Sequence, residues 1–116
     1  MKKPGKILVI TALVLILSSL CVFAEQEGDY TYELDSLGVK ITRYTGTATE
    51  ITIPAALGGY PVTTIGANAF RNSGVTSVIV SNGIKYIESF AFEYSKLTSI
   101  TLPGSLAELS GGAASD

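Results

Sequence analysis

The sequence predicts a repeat solenoid, a β-rich fold in which short coils of chain stack on one another. Three observations predict it. Apolar residues of Val75–Phe92 recur 22 positions later in Leu97–Leu109. Within each repeat the apolar residues first alternate, as in a half-buried strand, and then lie three apart, as in a tight turn. The 116 residues also include no histidine and a single cysteine, Cys21, so the fold must be held by packing between repeats.

The period of 22 extends beyond these two segments. It relates Val78 and Val80 to Ile100 and Leu102, and four further pairs: Ile65 and Ile87, Ala69 and Ala91, Phe70 and Phe92, Ser73 and Ser95. One such unit cannot bury its own apolar face, so neighbouring units must stack. We therefore expect Val78 to lie on Ile100, Val80 on Leu102, and Phe70 on Phe92. Loss of a stacked ring is costly, and Phe92→Ala is predicted to lower stability by about 3–5 kcal/mol.

Each unit is predicted to be a strand, a corner and a short helical or 3₁₀ turn. Val78 and Val80 alternate with outward residues, whereas Ile84, Ile87 and the pair Ala91-Phe92 follow the spacing of a turn. An earlier copy starts at Ile51 and reaches Ile65 only after five extra residues. Its segment Gly58–Pro61 is a loop signal that accommodates the surplus.

The segments on either side of the repeats differ in character. Residues 25–49 are predicted to form an N-terminal β-hairpin cap, with alternation on both sides of a turn at Asp35–Gly38. Residues 50–110 are assigned to two full repeats and a partial third, and residues 111–116 to a flexible tail. In register, Ala114 takes the position of Phe92. This loss favours either a shortened relative of longer arrays or an uncapped C-terminal end that another chain covers, including by self-association.

Residues 1–24 are predicted to be a signal peptide. Three lysines precede an uncharged run from Ile7 to Leu20, and small side chains before Glu25 mark a cleavage site after Ala24. An uncleaved membrane anchor over 7–24 and a lipoprotein acylated at Cys21 are the alternatives, the latter disfavoured by bulky Leu20. The remaining chain has five basic and ten acidic residues, a net charge of −5. We expect a secreted or cell-surface protein that binds neither nucleic acid nor, after cleavage, a membrane.

The sequence resembles the BspA-like, or Treponema pallidum-type, leucine-rich repeat family of bacterial surface and secreted proteins. The matching motifs are Val75-Thr-Ser-Val-Ile-Val, Leu97-Thr-Ser-Ile-Thr-Leu-Pro, Ile65-Gly66, Asn68-Ala69-Phe70, Ala91-Phe92 and the insertion Gly59-Tyr-Pro-Val62. The resemblance implies a leucine-rich-repeat solenoid that attaches to host or matrix proteins or acts at the bacterial surface, and it supplies no catalytic residues. Ser73 and Ser95 stand where the family often has cysteine, and the slot accepts any small side chain.

No catalytic, cofactor-binding or metal-binding site is predicted. The chain after Ala24 has neither cysteine nor histidine, and Glu88 and Glu93 are interpreted as solvated carboxylates. Leu102–Ser105 lacks the rest of a sorting signal and is interpreted as a strand exit. The candidate partner-binding residues form the outward row of the strands: Thr52, Ser77, Ile79, Ser99 and Thr101. The alternative is that these residue types merely suit an exposed strand.

Two functions therefore compete. The first is a non-catalytic interaction or adhesion module that binds extracellular or host proteins. The second is a truncated repeat array that acts as a structural end piece or assembly subunit without its own ligand. An enzyme is the weakest hypothesis, because only isolated carboxylates such as Asp35 and Glu88 are available.

Overall fold

The computed structural model describes residues 24–111, so nearly all of the predicted signal peptide and residues 112–116 of the predicted tail lie outside the described part. The described residues form ten strands and no helix, hence no helical membrane span. In chain order the strands are β1 (Glu25–Glu27), β2 (Tyr30–Leu34), β3 (Val39–Tyr44), β4 (Glu50–Ile53), β5 (Ala56–Leu57), β6 (Tyr60–Ile65), β7 (Ser77–Val80), β8 (Tyr86–Ile87), β9 (Ser99–Thr101) and β10 (Glu108–Leu109).

Two sheets form a solenoid of three turns. One sheet has the order β1-β2-β3-β6-β8-β10, with β5 attached to β6, and the other has the order β4-β7-β9. A first rung consists of β3, a corner and β4, a second of β6, a corner and β7, and a third of β8, a corner and β9. Strands β3, β6, β8 and β10 pair in parallel, as do β4, β7 and β9. The repeat solenoid predicted from the period of 22 is confirmed.

Equivalent side chains touch across the rungs in the predicted register. Val78 pairs with Ile100, and the ring centroids of Phe70 and Phe92 lie 4.9 Å apart in a stacked arrangement. Tyr44 extends this stack on the other side of Phe70, at 5.0 Å. Each corner therefore contributes one aromatic ring to a continuous core column. Leu102 differs from expectation, since it lies beyond the end of β9 and is 40 % exposed.

The N-terminal segment pairs with the solenoid directly. Strands β2 and β3 form the predicted antiparallel hairpin, and β1 adds a third, unpredicted strand to its edge. The Asp35–Gly38 turn is closed by backbone hydrogen bonds in both directions and by the Asp35 carboxylate, which accepts from Leu37 N and Gly38 N. Strand β3 also pairs in parallel with β6, so β3 is the first strand of the solenoid and β2 covers its outer edge.

The extra residues of the first repeat form a tight hairpin rather than an open loop. Strands β5 and β6 pair antiparallel around Gly58 and Gly59, whose φ angles of 61° and 85° lie in the left-handed region that glycine adopts without strain. Gly58 N also donates to Glu27 Oε1 at 2.7 Å. The insertion thus ties the start of the second rung to β1.

The corners contain successive turns instead of the helical or 3₁₀ turn that the sequence predicted. In the second corner (66–73) the amides of Ala69, Arg71 and Ser73 each donate to the carbonyl three residues back, and Ala91, Glu93 and Ser95 repeat this in the third corner (88–95). The intervening amides of the second corner donate to the third corner instead, Phe70 N to Ala91 O at 2.7 Å and Asn72 N to Glu93 O at 3.0 Å. A 3₁₀ helix needs these amides to bond within the corner, but they are used between rungs instead.

Two positions in each of the second and third corners have positive φ. They are Asn68 and Asn72 in the second corner, both at 62°, and Phe90 and Tyr94 in the third, at 61° and 60°. Asparagine is among the non-glycine residues that tolerate this conformation best, whereas aromatic residues are strained there. The third corner therefore carries backbone strain that the second corner avoids.

Hydroxyl groups supplement the backbone ladders between rungs. Thr76 Oγ1 donates to Thr49 O, and Thr98 Oγ1 donates to Thr76 O, both at 3.1 Å. Ser105 Oγ accepts from Gly83 N at 2.9 Å and donates to Ile84 O at 2.8 Å. Ser73 and Ser95 are different, because their hydroxyls are buried and have no hydrogen-bond partner within residues 24–111.

We expect Ser95→Ala to raise the free energy of unfolding by about 1 kcal/mol, because it removes a buried hydroxyl that is desolvated without compensation. Ser105→Ala should lower the free energy of unfolding by about 1 kcal/mol, since it breaks two hydrogen bonds. Urea denaturation monitored by circular dichroism compares the two variants. Equal effects of the two substitutions would contradict this account of the small slot at Ser95.

Candidate functional site

The predicted partner-binding residues share the outward face of the β4-β7-β9 sheet. Thr52, Ile79 and Thr101 are direct neighbours across the three strands, and Ser77 and Ser99 are neighbours in the adjacent row. Their opposite faces hold the buried Ile53, Val78 and Val80. The structure therefore brings all five residues onto one surface, as the alternation of the strands predicted. Their role in binding stays a prediction.

Ile79 is the centre of this outward face, and half of its surface is exposed (50 %). Thr52 and Thr101 flank it on either side, so the row is an apolar side chain between two hydroxyl-bearing ones. With strands about 4.8 Å apart, the three rungs span only about 10 Å. A stable interface of about 800 Å² per partner therefore has to include residues around this centre.

Two sets of residues next to the outward face were not predicted from the sequence. Glu50 pairs with Ser77 in register and places a carboxylate at the end of the serine row. The half-buried Thr76 and the exposed Thr98 border the same strands through the ladder to Thr49. The signal for Glu50 was present, since it precedes Thr52 by two residues in a strand.

Three tyrosines that border the solenoid do not join this face. Tyr60 and Tyr86 belong to the first sheet, on β6 and β8, and Tyr94 lies in the third corner. Tyr60 and Tyr94 expose 52 % and 55 % of their surface. They therefore mark surfaces other than the β4-β7-β9 face.

The carboxylates considered for acid–base chemistry link rungs to one another. Glu88 Oε2 lies 3.2 Å from Lys40 Nζ, and Glu88 Oε1 accepts from Ala67 N at 3.0 Å. The Lys40 chain passes over Gly66, where a Cβ would meet its Cδ and Cγ at 3.2 and 3.3 Å. Glu88 thus connects all three rungs. Glu93 Oε1 lies 3.4 Å from Arg71 Nε and joins the second and third corners.

Among residues 24–111, neither the shifted pKa values nor the arrangement of metal-ligating side chains indicates a further functional site. Burial raises the pKa of Tyr30 to about 12, with nearby Tyr44 and Asp29 adding to the shift. Burial also raises the pKa of Tyr32, to which the charges of Glu25 and Glu27 contribute. Both phenols therefore stay protonated at neutral pH. Residues 24–111 hold no cluster of three metal-ligating side chains.

Comparison with solved structures gives leucine-rich repeat proteins of three bacteria. A Treponema pallidum leucine-rich repeat protein aligns with a TM-score of 0.67 and 27 % identity over 75 % of this chain and 42 % of its own. A leucine-rich repeat protein from Bacteroides capillosus aligns at 0.64 and 26 % identity, over 76 % and 88 %. A leucine-rich cell surface protein from Faecalibacterium prausnitzii aligns at 0.61 and 31 % identity, over 82 % and 25 %. This chain thus spans less than half of the first and third proteins.

Sequence comparison points to the same repeats. A search of curated proteins gives no match. The family model described as BspA type leucine-rich repeat region matches residues 36–115 in six copies, which is most of the chain and includes every rung. The resemblance inferred from the repeat motifs is confirmed, and the chain belongs to the BspA type leucine-rich repeat family.

Proposed function

We propose that this chain is an exported, non-catalytic module that binds a protein partner through the outward face of the β4-β7-β9 sheet. The observation that carries the proposal is the exposed Ile79, centred between Thr52 and Thr101 on a parallel sheet. An apolar side chain with a hydroxyl group on either side offers an apolar contact to a partner and hydrogen bonds at the edge of that contact. Family membership supports the proposal, since repeat solenoids present extended surfaces to partners.

Export rests on residues 1–24, which we propose to be a cleaved signal peptide. Strand β1 begins at Glu25, directly after the proposed cleavage site, so cleavage after Ala24 would leave all the strands described in residues 24–111 intact. The likeness to a cell surface protein of Faecalibacterium prausnitzii supports placement outside the cytoplasm. N-terminal sequencing of the exported protein should begin at Glu25, and an intact Met1 would contradict the proposal.

The binding test uses purified extracellular matrix and cell-envelope proteins immobilised one by one. We expect the exported protein to bind at least one of them, and Ile79→Lys to weaken this binding about tenfold or more, because a charge replaces the central contact. Leu37→Lys is the matched control, since Leu37 is also an exposed aliphatic residue, at 59 %, but lies in the hairpin turn. Absence of binding across the panel, or equal losses in the two variants, would overturn the proposal.

A second candidate function is end-to-end self-association, in which the third rung of one copy meets another copy. Leu102 and Leu109 favour it, since they expose 40 % and 48 % of their surface at the outermost strands of the described residues. Sedimentation velocity over a wide concentration range tests it. A monomer at every concentration would remove this candidate.

A further inference from the structure

The β4-β7-β9 sheet ends on an open edge at β4. The other sheet continues past β3 with the hairpin strands β2 and β1, whereas β4 is the outermost strand of its own sheet. Because β3 and β4 belong to the same rung, the positions opposite β2 and β1 hold no strand among residues 24–111. The N-terminal end of the solenoid is therefore stepped, and a strand added to β4 would lie opposite β2.

Backbone groups of β4 point along this open edge. In the parallel ladder with β7, Ser77 N donates to Thr49 O at 3.1 Å, and Glu50 is the register partner of Ser77. Successive residues of a strand bond to opposite sides, so Ile51 bonds to β7 while the N–H and C=O groups of Glu50 and Thr52 point away from it. No strand in the described part of the chain pairs with them there. The edge thus offers two donors and two acceptors at the spacing of a β-strand.

The core side of this edge is incompletely covered. Ile51 faces the core but is only half-buried, whereas its register partner Val78 is 1 % exposed. Val78 has β4 and β9 on its two sides, while Ile51 has only β7 beside it within residues 24–111. Tyr30 on β2 also packs against the core and is half-buried. Apolar side chains of a strand added beyond β4 would therefore find apolar surface to cover.

Negative charge is concentrated at the same end of the solenoid. Residues 25–50 hold six acidic and two basic residues, a net charge of −4, whereas residues 51–111 hold three of each. None of the six carboxylates forms an ion pair within residues 24–111, and one of the two basic residues, Lys40, is paired with Glu88 of the third corner. Glu50 is exposed on the open edge itself. This charge favours an occupant with basic side chains. The six acidic residues are Glu25, Glu27, Asp29, Glu33, Asp35 and Glu50.

We propose that an extended, basic segment of a partner protein pairs with the free edge of β4 and adds a fourth strand to the β4-β7-β9 sheet. Main-chain hydrogen bonds to Glu50 and Thr52 set its register, alternate apolar side chains cover Ile51, and basic side chains lie beside Glu50. The opposite ends of the sheets, at β9 and β10, lack the excess of acidic residues. The site is an edge and not the outward face around Ile79, so it does not depend on the proposed function.

The test titrates the exported protein with an acetylated and amidated peptide of sequence Lys-Val-Thr-Val-Lys, in which basic, apolar and hydroxyl side chains alternate. One comparison peptide has the same side chains but N-methyl groups on its three central amides, and the other is Glu-Val-Thr-Val-Glu. Nuclear magnetic resonance at low salt measures the affinities. We expect saturable binding of the first peptide and at least about tenfold weaker binding of the other two, because one has lost backbone donors and the other is repelled.

Amide hydrogen exchange locates the bound peptide. The amides of Glu50 and Thr52 should exchange at least about tenfold more slowly when the Lys-Val-Thr-Val-Lys peptide saturates the protein, since they gain hydrogen bonds. The amide of Ile51, which bonds to β7, should change little. Unchanged exchange at both Glu50 and Thr52 would overturn the proposal, whatever the affinity of the peptide.

Matched variants separate the edge from the rest of the surface. Thr52→Pro removes an N–H that β7 does not use, so it should leave Tm within a few degrees but weaken peptide binding about tenfold, whereas Thr52→Val keeps the N–H and the affinity. Glu50→Lys should weaken binding about fivefold at low salt, and Glu108→Lys, at an exposed strand residue of the other end, should not. Ile79→Lys should leave peptide binding unchanged, which distinguishes this site from the outward face.

Three results would contradict strand addition at β4. They are absence of saturable binding by the Lys-Val-Thr-Val-Lys peptide, equal affinities of this peptide and its N-methylated form, and equal affinities of Thr52→Pro and Thr52→Val. Should Thr52→Pro prove unfolded by circular dichroism, the N-methylated peptide tests the same hydrogen bonds on the unaltered protein.

Discussion

Phe70→Ala is expected to lower the free energy of unfolding by about 3–5 kcal/mol, a large share of the stability of a small domain. The ring is fully buried and sits in the middle of the core column, 5.0 Å from Tyr44 and 4.9 Å from Phe92. Tyr30 also contacts it edge-on at 6.4 Å. Removal of this ring takes a contact from every rung at once. Urea denaturation followed by far-ultraviolet circular dichroism measures the loss.

Phe90→Ala is the control for this substitution, because it makes the same chemical change at a corner residue that is 45 % exposed. It should change stability by less than about 1 kcal/mol. Phe92→Ala should fall in the range of about 3–5 kcal/mol predicted from the sequence, since its ring is 1 % exposed. A small loss of stability in Phe70→Ala, or an equally large loss in Phe90→Ala, would show that the stacked rings do not stabilise the core.

Gly38→Ala is expected to lower the free energy of unfolding by about 2–4 kcal/mol, through left-handed strain and overpacking together. The φ of Gly38 is 143°, and a Cβ there would lie 2.6 Å from Pro61 O. Backbone cannot move aside as a flexible side chain does. The substitution should therefore separate the hairpin turn from the start of β6, and thermal unfolding measures the result.

Two other glycines separate the cost of backbone strain from the cost of overpacking. Gly59 has a positive φ of 85° but nothing near its Cβ position, whereas Gly104 has open space and no positive φ. Gly59→Ala should therefore cost only the strain, about 1–2 kcal/mol, and Gly104→Ala should be nearly neutral. The expected order of destabilisation is Gly38, Gly59, Gly104. Any other order would place the contact with Pro61 O in doubt.

The spacing of apolar residues was sufficient to predict which rungs touch. Val78 and Ile100 are paired, and Phe70 and Phe92 stacked, because a side chain repeated at the same place in successive coils has only one way to be buried. The outward row was predicted for the same reason. In a strand, alternate residues face opposite sides, so the inward Val78 and Val80 determine where Ser77 and Ile79 point.

Features that arise from contacts between unlike segments were not visible in the sequence. Tyr44 joins the aromatic column, yet it precedes Phe70 by 26 residues instead of 22, since the first rung has a different length. Phe90 and Tyr94 have positive φ although aromatic residues prefer negative φ. Their residue types therefore gave no indication of this conformation. The bond between Thr45 N and Asp29 O, which joins the start of the first corner to the segment before β2, is likewise not indicated by any local pattern.

The in-register parallel pairing of the rungs has a consequence for how this family changes in length. Ser77 meets Ser99 and Val78 meets Ile100, 22 residues away in the next coil, so each coil contacts only the coil before it and the coil after it. Gene duplication or deletion of one whole coil would leave every remaining neighbour relation intact. A gain or loss of half a coil would instead bring hydroxyl rows against aliphatic ones, and selection should remove it.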